Sequence, residues 1–270
     1  MPLLVATPPA HASIAPRPWR AIVVVPCFNE ARRLDGEGFA GFAVEPRVSL
    51  LFVDDGSTDD TRAAIERVAV GLRARGVEAD ALVLANNGGK GEAVRLGMIQ
   101  ALSRGAEVVG YFDADLAVPP AEMVRLVRAA AAGPARVVLG ARVALLGHRI
   151  VRRAYRHYLG RVFATAASLL LDLPVYDTQC GAKAFLRTPA LEAALAHPFS
   201  ARWAFDVELL GRLLAGTEGA PGLSPDDFVE TPLTEWRDVA GSTLRPIAFP
   251  RVALELLRIK QGLRRWSGHR

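Results

Sequence analysis

Hydrophobic residues come along this chain in short solid blocks separated by polar, turn-rich segments, and helical spacing over long stretches appears only later. Ala21-Ile22-Val23-Val24-Val25-Pro26 is apolar throughout, which predicts a strand buried on both faces, as in the middle of a parallel sheet. Cys27–Glu30 then reads as a loop, with a helix starting near Ala31. Val48–Val53 predicts the second strand, closed by the polar run Asp54-Asp55-Gly56-Ser57-Thr58-Asp59-Asp60-Thr61. Gly56 permits a tight turn, Ser57 or Thr58 can cap, and Asp59 and Asp60 suit the positive end of a helix reaching about Arg75. A short third strand is expected over Ala81–Leu84, and the glycine-rich Asn86–Gly91 opens a helix over Glu92–Ser103. Val108–Asp113 is the fourth strand, followed by a helix over Ala121–Ala132 and a strand over Arg136–Gly140. This alternation predicts βαβ units, and so an α/β fold with a mostly parallel central sheet flanked by helices.

From Ile150 the texture changes. Ile150–Leu171 has the spacing of one long helix, with Arg152, Arg153, Arg156 and Arg161 in its first half and an apolar second half. A polar knot, Asp177-Thr178-Gln179-Cys180-Gly181-Ala182-Lys183, interrupts Val175–Leu186. Arg202-Trp203-Ala204-Phe205-Asp206-Val207-Glu208 heads a helix to about Leu214, and Phe228–Pro232 fits an edge strand. The tail from Arg245 is helical, with apolar positions such as Leu256, Ile259 and Leu263 and basic residues between them. No repeat or low-complexity linker divides the chain. One domain over 20–244 is expected, after a disordered proline-rich lead-in (1–19) and before a basic amphipathic C-terminal helix (245–270).

At 270 residues, 51% of them apolar, the chain can bury a substantial core. Its net charge of +5 gathers in arginine clusters at Arg142–Arg161 and Arg258–Arg270, which favour phosphates, acidic lipid or nucleic acid as partners. Cys27 and Cys180 give no disulfide framework and sit in apolar surroundings, which fits a reduced, cytosolic setting. No run reaches the roughly 18–20 apolar residues that span a bilayer, and the first residues lack the build of a signal peptide. Any membrane contact is therefore expected to be peripheral.

The chemistry converges on strand ends. In an extended chain, residues i and i+2 point to one side, so Asp113 and Asp115 can face one site. Two carboxylates there suit a hard cation, Mg²⁺ or Mn²⁺, that also holds substrate phosphates, and open α/β sheets bind ligands at the carboxyl ends of their strands. Asp115 could instead cap the helix entered at Pro119-Pro120. Pro26–Glu30, Asp54-Asp55 and the Gly88–Gly91 loop fall at the same mouth. A nucleotide would offer donors to Asp55, and Lys90 could add charge; the alternatives are helix-capping carboxylates and a solvated loop lysine. Neither a Walker loop nor a Gly-x-Gly-x-x-Gly after the first strand is present, against a P-loop or dinucleotide site. The spacing of Arg152, Arg153, Arg156 and Arg161 puts several on one side, an anion clamp or else a solvated helix face. His148 and His157 lack partners at ligand spacing, and Trp203 and Phe205 read as core or as a stacking platform.

Taken together the motifs resemble the family 2 glycosyltransferases of the GT-A (Rossmann-like nucleotide-diphospho-sugar transferase) fold, most closely the dolichyl-phosphate β-glucosyltransferases. The resemblance runs from Val23 to about Leu244. Val25–Glu30, Val53–Asp59, Asn86–Gly97 and Phe112–Asp115 are common to many members. Gly140-Ala141-Arg142, Asp177–Phe185, Arg202–Leu210, Glu235-Trp236 and Gly241-Ser242 follow, of which Asp177–Gly181 and Arg202–Glu208 mark the polyprenyl-phosphate glucosyltransferase branch.

The resemblance implies that Pro26, Glu30, Asp54 and Asp55 hold the nucleoside, with Asp55 at the uracil. Lys90, Asp113 and Ala114 would lie along the ribose and diphosphate, and Asp113, Asp115 and Gln179 around the metal. Arg142 and Arg156 would grip an acceptor phosphate, with Arg153 and Arg161 able to substitute, while Arg202, Trp203 and Asp206 line the sugar pocket. The expected reaction is inverting, metal-dependent transfer from UDP-glucose to a polyprenyl phosphate, by a protein lying on the inner face of the cell membrane against anionic lipid. Eukaryotic members carry an N-terminal membrane anchor where this chain has a proline-rich lead-in, so an undecaprenyl-type carrier fits better than dolichol. A related transferase with another nucleotide sugar, or a soluble or polysaccharide acceptor and Asp206 as base, is the alternative. A non-enzymatic nucleotide-sugar sensor is a third reading; nucleic acid is not expected as a partner, and a homo-oligomer is left open.

Overall fold

In a computed structural model, residues 19–151, 154–239 and 249–267 are described. The elements follow as β1 (Ala21–Cys27), α1 (Gly36–Phe39), a 3-10 turn (Ala40–Val44), β2 (Val48–Asp54), α2 (Thr61–Arg73), β3 (Ala79–Val83), α3 (Lys90–Ser103), β4 (Val108–Phe112), α4 (Pro120–Ala132) and β5 (Val137–Ala141). The second half adds β6 (Arg149–Val151), α5 (Ala154–Leu171), β7 (Ala182–Leu186), α6 (Pro189–Ala196), α7 (Phe205–Ala215), the small hairpin β8 (Gly216–Thr217) and β9 (Ala220–Pro221), β10 (Phe228–Pro232), β11 (Glu235–Arg237) and α8 (Phe249–Ser267).

Seven strands form the main sheet in the order β10-β5-β7-β4-β1-β2-β3. All neighbours run parallel except β7, which is antiparallel to both β4 and β5. β1 is central, and its side chains alternate between the two layers. Val23 and Val25 join the core around Phe39, Phe42, Phe52 and Phe112, while Ile22 and Val24 face the core of Met98, Tyr111, Phe185 and Phe205. The solid apolar blocks are thus explained by burial on both faces. Phe228–Pro232 is the expected edge strand. Cys27 and Cys180 are free and buried.

Several expected elements differ. Residues 31–33 form no helix: Arg33 and Leu34 close a turn onto Glu30 O, and Asp35 then caps α1 by accepting from Glu37 N. The helix expected from Ile150 starts at Ala154, because Arg149–Val151 pairs in parallel with Glu235–Arg237, where β-branched Ile150 and Val151 fit. β3 begins two residues before the expected Ala81, at Ala79, where the chain buries only its first residue. β7 lies hidden inside the polar knot, with Lys183 opposite Tyr111. Arg153 and the Gly241-Ser242 pair fall outside the described residues, as does the expected lead-in apart from Trp19, which is buried beneath Arg47.

Candidate functional site

The carboxyl ends of β1, β2 and β4 open on one side of the sheet, and the loops there lock onto each other before they offer anything to a ligand. Asn29, in the left-handed region at φ 55°, donates its N–H to Ser57 Oγ and accepts from Thr58 N with Oδ1, each at 3.0 Å. Asp54 accepts from Ser57 N at 3.0 Å, tying its own turn rather than capping α2, whose N-cap Asp60 makes no side-chain bond. Asp55 is buried, and its two oxygens accept from Gly88 N and Gly89 N, both at 2.8 Å. Burial pushes its carboxyl up, although those amides pull the other way. The helix-capping alternative for both aspartates therefore fails; Asp55 instead shapes the glycine loop. Gly56 is required here: at φ +64° a Cβ would lie 2.7 Å from the backbone of Asn86 and Asn87.

Pro26 sits half-buried at the end of β1, paired with Val53. Glu30 accepts from Arg33 at 2.7 Å, and its Oε2 is buried without a hydrogen bond. Its carboxyl is raised by burial, against the pull of Arg33 and with a push from the Asp115 charge.

Asp113 and Asp115 do share the mouth. Lys90, at the start of α3, reaches Asp113 Oδ1 at 2.5 Å while its side chain stays 40% exposed, so it is ion-paired at the mouth and still meets solvent. Burial weighs against its charge, but Asp113, Asp206 and Asp115 outweigh it and its pKa rises. Asp115 accepts from Ala117 N at 3.0 Å in a local turn; α4 takes Pro119 as N-cap with no side-chain bond, so the capping alternative falls. Burial and the neighbouring Asp113 charge raise the Asp115 carboxyl. Ala114 between them buries its methyl in the core, leaving only backbone to offer. Gly181 lies against Asp113, where a Cβ would collide with the carboxylate, and its carbonyl accepts from Asp113 N at 2.9 Å.

The polar knot forms the opposite wall. Arg142 donates from Nε and Nη2 to the two oxygens of Asp177 at 2.6 and 2.8 Å, and its charge bears on Asp113 as well. Despite its burial, Asp177 raises the arginine's pKa further. Glu230 of β10 in turn accepts from the N–H of Tyr176 and Asp177 at 2.6 and 2.7 Å. Gln179, expected around the metal, directs Nε2 to Asp206 Oδ2 at 3.4 Å. Arg161 donates to Tyr176 O and stacks on that ring at 3.7 Å. Arg156 belongs to α5, and its side chain lies outside the described residues.

Asp206 opens α7 in the second core layer, 5% exposed. Its Oδ1 accepts from Lys183 Nζ at 2.9 Å and from the Tyr111 hydroxyl. Burial raises the carboxyl to about 7 and lowers the lysine to about 7, and their 2.9 Å contact gives each a partner in a dry setting. Arg202 reaches over the glycine loop to Asn87 Oδ1 at 3.3 Å, whereas Trp203 packs edge-on against Phe163 at 4.8 Å, on the core side. Sequence reasoning missed Lys183, Tyr111 and Glu230; a lysine inside an apolar strand was the one signal that a buried counter-ion existed.

The profile of the family described as Glycosyl transferase family 2 matches residues 22–193. The dolichyl-phosphate β-glucosyltransferase of Drosophila melanogaster is 32% identical over 249 residues, 83% of this chain and 69% of the fly protein. The polyprenol monophosphomannose synthase of Mycolicibacterium smegmatis is 28% identical over 196 residues, 72% of each chain. Among solved structures, glucosyl-3-phosphoglycerate synthase from Mycobacterium tuberculosis, in complex with Mn²⁺, UDP and glucosyl-3-phosphoglycerate, superposes with a TM-score of 0.58 at 20% identity over 93% of this chain and 80% of that one. A mannosyltransferase from Pyrobaculum calidifontis, with GDP-mannose and Mn²⁺, gives 0.52 at 19% identity over 92% and 75%. Those likenesses identify the fold as GT-A. The profile spans the strands that build the mouth, and the fly relative is nearly a third identical over most of both sequences, so the chain belongs to glycosyl transferase family 2 and is a glycosyltransferase.

Proposed function

We propose that this enzyme transfers glucose from UDP-glucose to a polyprenyl phosphate, with inversion at the anomeric carbon, giving a β-linked lipid phosphosugar. The observation that carries the acceptor class is the state of Asp206. Its carboxylate is buried and engaged by Lys183, Tyr111 and Gln179, so it does not stand ready as a general base. A phosphate acceptor is already anionic near neutral pH and asks for none. The names of the dolichyl-phosphate and polyprenol-phosphate relatives favour the same acceptor and, for the former, glucose. A soluble or polysaccharide acceptor, or another nucleotide sugar, is the rival reading; with Asp206 as base it would require the ion pair to open.

The nucleoside is assigned to Pro26, Glu30, Asp54 and Asp55, and the diphosphate to Lys90 and the glycine loop that Asp55 braces. Asp113 and Asp115 fit a divalent cation, Mg²⁺ or Mn²⁺: two carboxylates share one strand end, and the charge of Asp113 bears on Asp115. An ion there would be held by one or two carboxylates and completed by substrate phosphates. When bound, the ion would neutralise charge building on the departing diphosphate. Arg142, fixed by Asp177, and Arg156 are assigned to the acceptor phosphate, with Arg153 and Arg161 able to substitute. Holding that phosphate in line with the anomeric carbon is then the protein's main contribution.

A lipid acceptor requires a bilayer partner. No carboxylate occurs between Glu122 and Asp172, and only Glu255 follows Asp238. Val162 and Leu169 of α5 and Leu254 and Leu257 of α8 are exposed, beside exposed Arg258 and Lys260. Apolar and cationic residues without opposing carboxylates favour peripheral contact with anionic lipid, on the inner face where a nucleotide sugar is at hand. No described helix is long and apolar enough to cross a membrane.

The test is a transfer assay with radiolabelled nucleotide sugars, Mg²⁺ or Mn²⁺, and a short polyprenyl phosphate in detergent. Lipid-extractable label from UDP-glucose, lost in Asp115→Ala and in Arg156→Ala, is the expected result. UDP release without lipid label, abolished only by Asp115→Ala, would overturn the lipid acceptor.

A further inference from the structure

The helix that presents Asp206 has no cap of its own: its N-cap is Ala204, which makes no side-chain bond. The cap comes from the far end of the chain. Glu255 of α8 accepts with Oε2 from the backbone N–H of Trp203 at 3.1 Å and of Ala204 at 2.9 Å, placing a carboxylate at the positive end of α7. α8 is held at that position by buried Ile259 and by Leu263, which packs against Gly211 of α7. Glu255 is also the only carboxylate in an otherwise basic tail.

The residue just before the two held amides is Arg202. Its Nη2 donates to Asn87 Oδ1 at 3.3 Å, and its Nε and Nη2 lie 3.2 Å from where a Cβ on Gly89 would stand. Its charge also bears on Asp55, which braces the same loop. A short train of contacts thus runs from the C-terminal helix to the glycine loop.

We propose that Glu255 is a positioning residue of the donor site: by fixing the amides of Trp203 and Ala204 it sets Arg202 over the glycine loop, and so makes α8 part of the nucleotide-binding apparatus. This rests on the UDP-sugar reading above. An arginine held there would meet a nucleotide diphosphate with a charge that needs no reordering on binding.

The experiment is calorimetric binding of UDP with Mn²⁺ to the full chain as wild type, Glu255→Ala, Glu255→Gln, Arg202→Ala and the Glu255→Ala/Arg202→Ala double variant. Hydrogen exchange is followed at residues 202–206. Glu255→Ala should weaken UDP binding about tenfold and speed exchange at the Trp203 and Ala204 amides, while Glu255→Gln, which keeps an acceptor oxygen, loses less. In the Arg202→Ala background the second substitution should add nothing. If the two losses multiply, or if exchange speeds while UDP affinity stays put, Glu255 is merely a helix cap and the proposal is overturned. Should Glu255→Ala fail to fold, the same comparison is made with Glu255→Gln. A wild type that does not bind UDP at all would instead overturn the donor reading, and this inference with it.

Discussion

Replacing Lys183 by methionine removes the ammonium and keeps the volume, which isolates the charge that faces Asp206. Lys183 is 1% exposed and Asp206 5%, so water cannot substitute for the lost partner. Burial already raises the Asp206 carboxyl from 3.8 to about 7, and removing the adjacent ammonium takes away a contact that favours the charged form, so the variant's carboxyl lies at least as high. A carboxyl raised on folding stabilises the fold only below its unfolded pKa, and that contribution is lost as pH climbs through the folded value. Three pKa units at 1.36 kcal/mol each make the penalty roughly 4 kcal/mol at pH 8, within the range of about 3–5 kcal/mol for breaking a buried pair. At pH 5 only about one unit remains, so the deficit should shrink to under about 2 kcal/mol. In the wild type the pair holds one proton between its members and should show no such slope. Urea unfolding of wild type and Lys183→Met at pH 5 and pH 8, followed by tryptophan fluorescence, measures both deficits. Adding Asp206→Asn to the methionine variant should flatten its pH dependence. Equal deficits at the two pH values would refute the idea that the lysine's work is to compensate Asp206.

The same pair bears on catalysis: Asp206→Asn should keep kcat within about tenfold, because loss of a true general base costs about 10²–10⁴, and steady-state kinetics across donor concentrations separates the two. Gly181→Ala pushes a methyl into the Asp113 carboxylate, so turnover should fall by about 100-fold or more while thermal unfolding shows a folded protein; unchanged turnover would mean that Asp113 has room to move. Glu45 offers a pH test away from the site. The side chain of Arg47, with help from Arg128, holds its carboxyl at about 2, below the ordinary 4.5. A lowered carboxyl stabilises above pH 4.5 and loses that contribution as pH falls through 2. Both arginines are about half exposed, so the effect is discounted to about 1–2 kcal/mol. Glu45→Gln should therefore be less stable than wild type at pH 6, with the gap closing near pH 2 in acid titrations of urea unfolding.

The central strands were legible because burial on both faces writes itself as unbroken apolar runs, as in Ala21–Cys27 and Val108–Phe112. Ala182–Leu186 was not, because Lys183 contradicts that rule locally and is explained only by Asp206 on another element. Ile150 and Val151 could be counted into a helix until the partner strand Glu235–Arg237 was in place. Only contacts distant in sequence could correct either one.

The acidic residues around the mouth show the same limit on the side of chemistry. Asp54, Asp55, Asp113 and Asp115 could be placed at strand ends and Asp177 in a polar knot, but what each carboxylate holds could not be read, and Glu230 was missed. Asp55 is engaged by the amides of Gly88 and Gly89, Asp177 by Arg142, and Glu230 by the amides of Tyr176 and Asp177. Glu208 accepts from Arg212, Ser200 and Ala201 and fixes the loop that leads to Arg202. Each of these carboxylates orders backbone or a cation, which lets a rigid wall form from loops that polar composition alone would leave mobile. What remains at the opening is Asp113 paired with Lys90 at the start of α3, and Asp115 raised by burial and by the Asp113 charge. Two neighbouring carboxylates with Lys90 beside them are what the proposed reading needs to gather phosphates around one cation.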